Sequence, residues 1–166
     1  CVRILVYSIV YAPEPTSTGK YTGQMASWLA SRGHQVDAIV SHPHYPHWRV
    51  REDYAGRGRF VEELDGVRVF RTPLYVPPAE KAGARNRIRY ELSFGRNALP
   101  HWLRVLVGRA YDVVIAVCPP LQNVLYPWLY RGLRGVPWVF HVQDLQMDVA
   151  LRLGMLSAGP LTRPLQ

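Results

Sequence analysis

The sequence predicts an α/β fold, a Rossmann-like parallel sheet with helices on both faces, and two observations carry this prediction. Short apolar runs rich in β-branched residues alternate with segments of helical periodicity along the chain. A strand, a glycine-bearing loop, a helix and a second strand fill the first forty residues, which is the order of a βαβ unit. A crossover helix of this length requires parallel strands and places the loop at the carboxyl edge of the sheet, where α/β proteins bind ligands.

Turn residues separate the first predicted strands and helix. Residues 2–8 (VRILVYS) predict a strand, and the turn-rich stretch YAPEPTSTGK leads into a helix. One face of that helix carries, at helical spacing, Tyr21, Met25, Trp28, Leu29 and Arg32. Gly33 ends the helix, and residues 36–40 predict the second strand.

The alternation of strands and helices continues to the end of the chain. Residues 43–58 are rich in proline, aromatics and arginine and predict a loop. A hairpin insertion follows, with short strands at 59–63 and 67–71 around the turn at Asp65 and Gly66. The remaining predicted elements are a buried strand at 112–117, a helix from Val124 to Leu133 closed by Gly135, a strand at 136–141 and a helix beginning over 148–153.

Length and composition limit the class of protein. The chain has 166 residues, 48% of them hydrophobic and 19% charged, which is typical of one soluble domain. No apolar run approaches the length of a transmembrane helix, and no signal peptide is evident. Two cysteines, Cys1 and Cys118, do not make a disulfide framework, so we expect a reducing cytoplasm. A start on cysteine suggests a fragment or an incomplete gene product.

The net charge of +8 is concentrated in one segment. Residues 81–109 hold seven Lys or Arg against a single acid, Glu91, and carry apolar residues at helical spacing. They predict a basic amphipathic helix or helix pair, broken near Pro100. Such a helix can lie on anionic lipid with Trp102 at the interface, and the candidate membrane-surface residues are Arg85, Arg87, Arg89, Arg96, Trp102 and Arg104.

Two other interpretations of this segment remain. It can be a crossover helix that packs on the sheet and leaves its arginines solvated. Nucleic-acid binding is not favoured, because no RNA-binding or DNA-binding motif accompanies the arginines.

The loop before the first helix invites comparison with nucleotide-binding motifs. It fails as a P-loop, because Glu14 stands where the first glycine belongs and Tyr21 follows Lys20 in place of Ser or Thr. The dinucleotide fingerprint GxGxxG is also missing. What remains is a helix N-terminus, where Gly19 would let a ligand approach the backbone closely. Exposed N–H groups at such a position favour binding of an anion such as a phosphate. The alternative is a plain helix cap by one of three hydroxyl residues, Thr16, Ser17 and Thr18.

A second polar constellation, HVQDLQMD, follows the last predicted strand. His141 and Asp144 leave the strand at its carboxyl end, where they can hydrogen-bond sugar hydroxyls or transfer a proton, or can cap the next helix. The histidines and cysteines show no convincing metal-ligand set. The clustered His42, His44 and His47 are interleaved with prolines and aromatics, which indicates a recognition loop.

Several segments together resemble a known family. In order they are VYAPEPTSTGKYTGQMASWLASRGHQV, SHPHYPHWRV, LDGVRVFRTPLYVP, DVVIAVCPP and HVQDLQMDVALRLGML. They resemble the N-terminal domain of family 4 glycosyltransferases, in the branch that includes the colanic acid biosynthesis glycosyltransferases. The resemblance covers nearly the whole chain, and the combination of APExTxxGKYTG, HYPxW and HVQD makes it specific. Relatives often have a second glycine where Ser17 stands.

This resemblance implies a GT-B architecture, in which two Rossmann-like domains face each other across a cleft. Such enzymes transfer a sugar from a nucleotide sugar to an acceptor with retention of configuration, generally without a bound metal or other cofactor. The N-terminal domain mainly holds the acceptor, and the C-terminal domain holds the nucleotide. We therefore expect residues 1–166 to be a single acceptor-side domain that is inactive alone and whose nucleotide-binding partner domain is supplied in cis or in trans.

The resemblance also assigns roles by position. Gly19 and Lys20 would lie near the donor diphosphate, His141 would contact the transferred sugar, and Asp144 would orient it. The candidate acceptor-side residues are Glu14, Tyr21, Tyr45 and Trp48.

The expected acceptor is a lipid-linked saccharide of exopolysaccharide or cell-surface polysaccharide synthesis. The basic helix would then bring the cytoplasmic protein to the inner face of the plasma membrane. Two other classes stay open, a standalone acceptor-binding or interaction module without turnover and a nucleotide-binding regulatory domain.

Overall fold

The computed structural model describes residues 1–15, 17–78 and 83–143, which form a sheet between two helical layers. In chain order the elements are β1 (Arg3–Ser8), α1 (Ser17–Ser31), β2 (Gln35–Ser41), β3 (Phe60–Leu64), β4 (Val67–Thr72), α2 (Ala84–Val107), β5 (Val113–Cys118), α3 (Leu125–Arg134) and β6 (Trp138–Val142). A single 3-10 turn, Leu121–Val124, precedes α3. The predicted fold class is confirmed, and the helix predicted over 148–153 lies outside the described residues.

The six strands form one sheet in the order β3-β4-β2-β1-β5-β6. All neighbouring pairs are parallel except β3 with β4, which is the antiparallel hairpin that the sequence predicts. Its turn residues Asp65 and Gly66 have φ values of 51° and 76°. Positive φ at both positions is the type I′ geometry, whose twist matches that of the flanking strands.

Helix α1 packs on one face of the sheet through small residues. Its buried positions are Thr18, Gly19, Thr22, Gly23 and Ala26. Tyr21 and Trp28, from the face marked by apolar spacing, are 62% and 56% exposed. Met25 and Leu29, from the same face, are partly buried against the core. The buried face of α1 is therefore shifted toward its small residues, because only small side chains let its backbone approach the β1–α1 loop so closely.

Helix α2 covers the opposite face and is unbroken. Its residues Tyr90, Phe94, Ala98 and Trp102 recur every fourth position and are buried against the sheet. The predicted break near Pro100 is wrong, since Pro100 lies inside the continuous helix. A proline removes one backbone hydrogen bond, but the burial of the whole inner face of α2 holds the helix together across that point.

Helix α3 lies beside α2, where the Tyr126 ring stacks on Trp102 at a centroid distance of 5.5 Å. It ends, as predicted, at Gly135, whose φ of 69° is left-handed and whose N–H donates to the Arg131 carbonyl. In the part of the chain that the structure describes, no helix combines the length and apolarity needed to cross a bilayer.

Candidate functional site

Two adjoining cavities open at the carboxyl edge of the sheet. The smaller, here called the edge cavity, has a volume of about 110 Å³ and lies where β1 ends, α1 begins and β5 ends. The larger, the loop cavity, has a volume of about 670 Å³ and lies between the proline-rich segments 13–15 and 43–52. Tyr45 lines both cavities. The predicted loop over 43–58 is thus brought beside the N-terminus of α1.

Gly19 lies in the first turn of α1 and lines the edge cavity. A Cβ at this position would lie 2.5 Å from Glu14 Oε2 and 3.0 Å from Glu14 Cβ. Glycine is therefore required for the close approach of the helix to the preceding loop, and the atoms that approach Gly19 most closely are those of Glu14.

Glu14 is the central buried acid of this edge, with a side chain only 1% exposed. Its Oε1 accepts hydrogen bonds of 3.1 Å from the backbone N–H groups of His44 and Tyr45. Its Oε2 is buried and has no hydrogen-bond partner among the described residues. Burial raises the pKa of Glu14 to about 7, against the lowering effect of the two N–H donors and of Arg71.

His44 is a neutral, buried link in the same network. Its Nδ1 lies 2.8 Å from the His42 carbonyl and must donate to it, so Nε2 accepts from the Tyr90 hydroxyl at 2.7 Å. Burial lowers the pKa of His44 to about 4. His44 Nδ1 lies 3.8 Å from Glu14 Oε1, but the neutral ring makes no ion pair there at neutral pH.

The predicted aromatic residues of the loop lie together at the edge cavity. Tyr45 and Trp48 both line it, and their rings meet edge to face at a centroid distance of 6.2 Å. Trp48 also meets Tyr90 edge to face at 5.5 Å. This packing presents aromatic surface next to the polar start of α1, a combination suited to a sugar ring.

The other predicted residues of α1 lie on its outer side. Lys20 is exposed and Tyr21 is 62% exposed, whereas the neighbouring Gly19 is buried. Neither side chain is part of the network around Glu14.

His141 lies in β6, half-buried and paired with Val117 of β5. The end of β6 is tied to α1, because Gln143 Nε2 donates to Thr22 Oγ1 at 3.0 Å. The β6 end that carries His141 is thus at the same sheet edge as the two cavities. Asp144, its predicted partner, lies outside the described residues.

The structure corrects the predicted membrane surface at Trp102. Trp102 is only 4% exposed and packs edge to face on Tyr7 at 5.2 Å, so it cannot be an interface anchor. Arg87 lines the edge cavity and donates to Glu91 at 3.1 Å. The spacing of apolar residues marked the correct helix but could not show which of its apolar residues meet the sheet.

The remaining four predicted arginines, Arg85, Arg89, Arg96 and Arg104, are exposed on α2. The outer surface of α2 also exposes a stripe of five large apolar side chains, Ile88, Leu92, Leu99, Leu103 and Val107. Arg85, Arg89 and Arg96 fall at helical positions beside this stripe. We call the five apolar side chains the outer stripe.

Sequence reasoning missed Arg71 and Tyr90. Arg71 is fully buried, and its guanidinium donates to Glu62 Oε1 at 2.6 Å, to the Ser41 carbonyl at 3.0 Å and to the Ala12 carbonyl. It joins the loops after β1 and β2 from inside. The sequence signal for Arg71 was an arginine that follows apolar residues in a short strand. Tyr90 had a clearer signal, its four-residue spacing from Phe94.

Within the three described segments, no group of three or more His, Cys, Asp and Glu side chains is placed to hold a metal ion. The polar atoms at this edge include backbone N–H groups, the buried Glu14 carboxyl, neutral rings and arginine side chains such as Arg87. These groups can bind hydroxyls and anions by hydrogen bonds.

Comparisons with known proteins identify the family of the chain and a protein with a similar fold. The family model described as a glycosyl transferase 4-like domain matches residues 16–166. The protein of Escherichia coli (strain K12) named "Putative colanic acid biosynthesis glycosyl transferase WcaI" is 37% identical over 160 residues, which are 95% of this chain and 38% of that protein. The sucrose-phosphate synthase from Thermosynechococcus elongatus has a similar fold, with a TM-score of 0.51 and 16% identity over 91% of this chain and 35% of that one.

Proposed function

Because the chain belongs to the glycosyl transferase 4-like domain family, we propose that it forms the acceptor-side half of a retaining glycosyltransferase. The enzyme would transfer a sugar from a nucleotide sugar to a lipid-linked saccharide in the synthesis of an exopolysaccharide or other surface polysaccharide. The name of the Escherichia coli relative, which refers to colanic acid, supports this choice of pathway class. The observation that carries the proposal is the meeting of the α1 N-terminus with the aromatic loop at the sheet edge.

The first chemical requirement is stabilisation of the leaving nucleoside diphosphate. Backbone N–H groups at a helix N-terminus and nearby cations serve this purpose. Gly19 lines the edge cavity, Lys20 follows it, and Arg87 lines the same cavity from α2. We propose that these three residues lie near the diphosphate, with no metal ion needed.

The second requirement is to hold an oxocarbenium-like sugar against the acceptor hydroxyl. We assign His141 and Asp144 to the transferred sugar, since His141 lies near the carboxyl end of β6 and Asp144 follows that strand in the sequence. The acceptor saccharide would occupy the loop cavity, where Tyr45 offers an aromatic wall and Glu14 a buried carboxyl. Tyr21 and Trp48 would contact more distant parts of the acceptor.

The other half of the enzyme would bind the nucleotide. The chain spans 38% of the length of the Escherichia coli relative and 35% of that of the synthase. We propose that a second Rossmann-like domain, in the same chain or a separate one, closes over the carboxyl edge and completes the site.

A lipid-linked acceptor calls for membrane contact, and the outer stripe of α2 is the surface that we propose for it. Its five exposed apolar side chains would enter the lipid interface while Arg85, Arg89 and Arg96 contact anionic headgroups. The protein would then be cytoplasmic and peripheral, at the inner face of the plasma membrane. Trp102 has no part in this surface.

The test is sugar transfer by the protein with its nucleotide-binding domain, using labelled nucleotide sugars and membrane extracts containing the acceptor. We expect His141→Ala to reduce turnover at least about a hundredfold while leaving the unfolding midpoint unchanged. His34→Ala is the matched control, because His34 lies between α1 and β2 and lines neither the edge cavity nor the loop cavity. Acceptor binding without any turnover, even with the second domain present, would instead favour the standalone binding module.

A further inference from the structure

A third cavity lies at the opposite, amino edge of the sheet. It has a volume of about 220 Å³ and is lined by the second half of α2, the segment that follows it, and residues of β1, β2 and β4. We call it the basal cavity. Its polar lining consists of Arg3, Arg68, His101, Arg104, Arg109 and Tyr111. None of these residues belongs to the edge or loop cavities, so the basal cavity is separate from the proposed sugar-transfer site.

Two of the arginines form a rigid wall. Arg68 makes a bidentate contact with Asp37, with N–O distances of 3.0 and 2.6 Å. The Arg3 guanidinium lies 4.7 Å from the centre of the Tyr111 ring and donates to the backbone carbonyls of residues 109 and 110. These contacts fix the positions of both arginines. Arg3 therefore supplies positive charge without needing to be ordered by a ligand, whereas the charge of Arg68 is balanced by Asp37.

The other two arginines have unused donors. The exposed guanidinium groups of Arg104 and Arg109 form no hydrogen bond or ion pair with described residues. The negative end of α2 nearby is already compensated, because Arg134 donates to the carbonyls of Leu106 and Gly108. The acids near this cavity are Asp37, which is bound to Arg68, and Asp112, which accepts from the Arg3 backbone N–H.

His101 provides an unpartnered polar atom in the lining. The residue is 3% exposed, and its Nε2 lies 3.3 Å from the Arg71 carbonyl, to which it must donate. Nδ1 is therefore the acceptor of the neutral ring, and it is buried without a partner among the described residues. A buried polar atom without a partner costs free energy that a ligand hydroxyl would recover.

We propose that the basal cavity binds a phosphate ester that carries a neighbouring hydroxyl group. Arg104 and Arg109 would bind the phosphate oxygens, and His101 Nδ1 would accept from the hydroxyl. The volume of 220 Å³ is smaller than the roughly 300–1,000 Å³ of pockets for drug-sized ligands, and it suits a small phosphorylated polyol. Such chemistry occurs both in soluble sugar phosphates and in the phosphatidylglycerol headgroup.

Glycerol 3-phosphate is the probe, and its affinity is measured by calorimetry at constant ionic strength. We expect saturable binding that Arg104→Gln weakens about tenfold, the loss of one charge-assisted contact. Arg32→Gln is the matched control, since it removes the same charge from an exposed arginine just after α1, outside the basal cavity and the outer stripe. It should leave the affinity unchanged. The His101 Nδ1 resonance in a nitrogen-edited NMR spectrum should also shift on titration.

Vesicles distinguish the two sources of the ligand. Binding to phosphatidylglycerol vesicles that is lost in Arg104→Gln but retained in Arg32→Gln would identify a lipid headgroup. Binding of the soluble ester without this vesicle effect would identify a metabolite. The proposal is overturned if neither probe binds, if both substitutions weaken binding equally, or if the His101 signal stays in place at saturation. None of these measurements depends on sugar transfer.

Discussion

Replacing Gly19 by alanine tests whether α1 is fitted to Glu14 as closely as the structure indicates. The new Cβ would lie 2.5 Å from Glu14 Oε2, 3.0 Å from Glu14 Cβ and 3.3 Å from the Tyr11 nitrogen. Overpacking of this kind costs about 1–3 kcal/mol, and alanine returns up to about 1 kcal/mol of helix propensity. We expect a net loss of about 1–2 kcal/mol in the free energy of unfolding.

Urea unfolding followed by circular dichroism measures this loss as a lower midpoint at unchanged slope. Gly95→Ala is the matched control, since Gly95 lies inside α2 and a Cβ there meets no heavy atom within 4 Å. It should stabilise the chain by about 0.5–1 kcal/mol.

The clash also has a functional consequence. The Glu14 carboxyl must move away from a side chain at residue 19, and with it the two hydrogen bonds that hold the loop at His44 and Tyr45. Equal stability of Gly19→Ala and Gly95→Ala would refute this account of the helix–loop contact.

Three further predictions concern the same edge. The folded pKa of Glu14, raised from 4.5 to about 7, means that the native state keeps a proton which the unfolded chain releases. The contribution of Glu14 to stability should therefore fall by up to about 3 kcal/mol as pH rises from about 4.5 to 7. His44, whose pKa is lowered to about 4, has the opposite effect over much of this range, so the fall is measured by subtracting the urea-midpoint profile of Glu14→Gln from that of the unchanged chain. Tyr90→Phe leaves His44 Nε2 buried without its donor and should cost about 1–3 kcal/mol in the same assay, whereas a loss below a few tenths would contradict the hydrogen bond. Ser17 has a φ of 57°, so Ser17→Gly should raise the melting temperature by relieving about 1 kcal/mol of strain, while Ser27→Gly inside α1 should lower it.

Much of the candidate site could be predicted from residues near the ends of apolar runs. Parallel strands bring their carboxyl ends to one edge, so the loop before α1 and His141 at the end of the last strand were both expected there, whereas Tyr45 was assigned through the family resemblance. Asp144 stays a prediction, because it lies outside the described residues. The hydrogen-bond and packing partners of the buried side chains at that edge could not be predicted. Nothing in the spacing indicates that Glu14 accepts from the His44 backbone or that Arg71 lies buried beneath both loops.

The amino-acid sequence alone determined the order of elements, the parallel sheet with its hairpin, the helix stop at Gly135 and the family resemblance. These depend on local periodicity, turn chemistry and motif order, which are properties of neighbouring residues. Tertiary structure alone decided which face of each helix is buried. Apolar spacing favoured the aromatic side of α1 and an exposed Trp102, but α1 packs through its small residues and Trp102 meets Tyr7 in the core. The physical reason is that burial depends on the space left between a helix and the sheet, and that space is set by residues far apart in sequence.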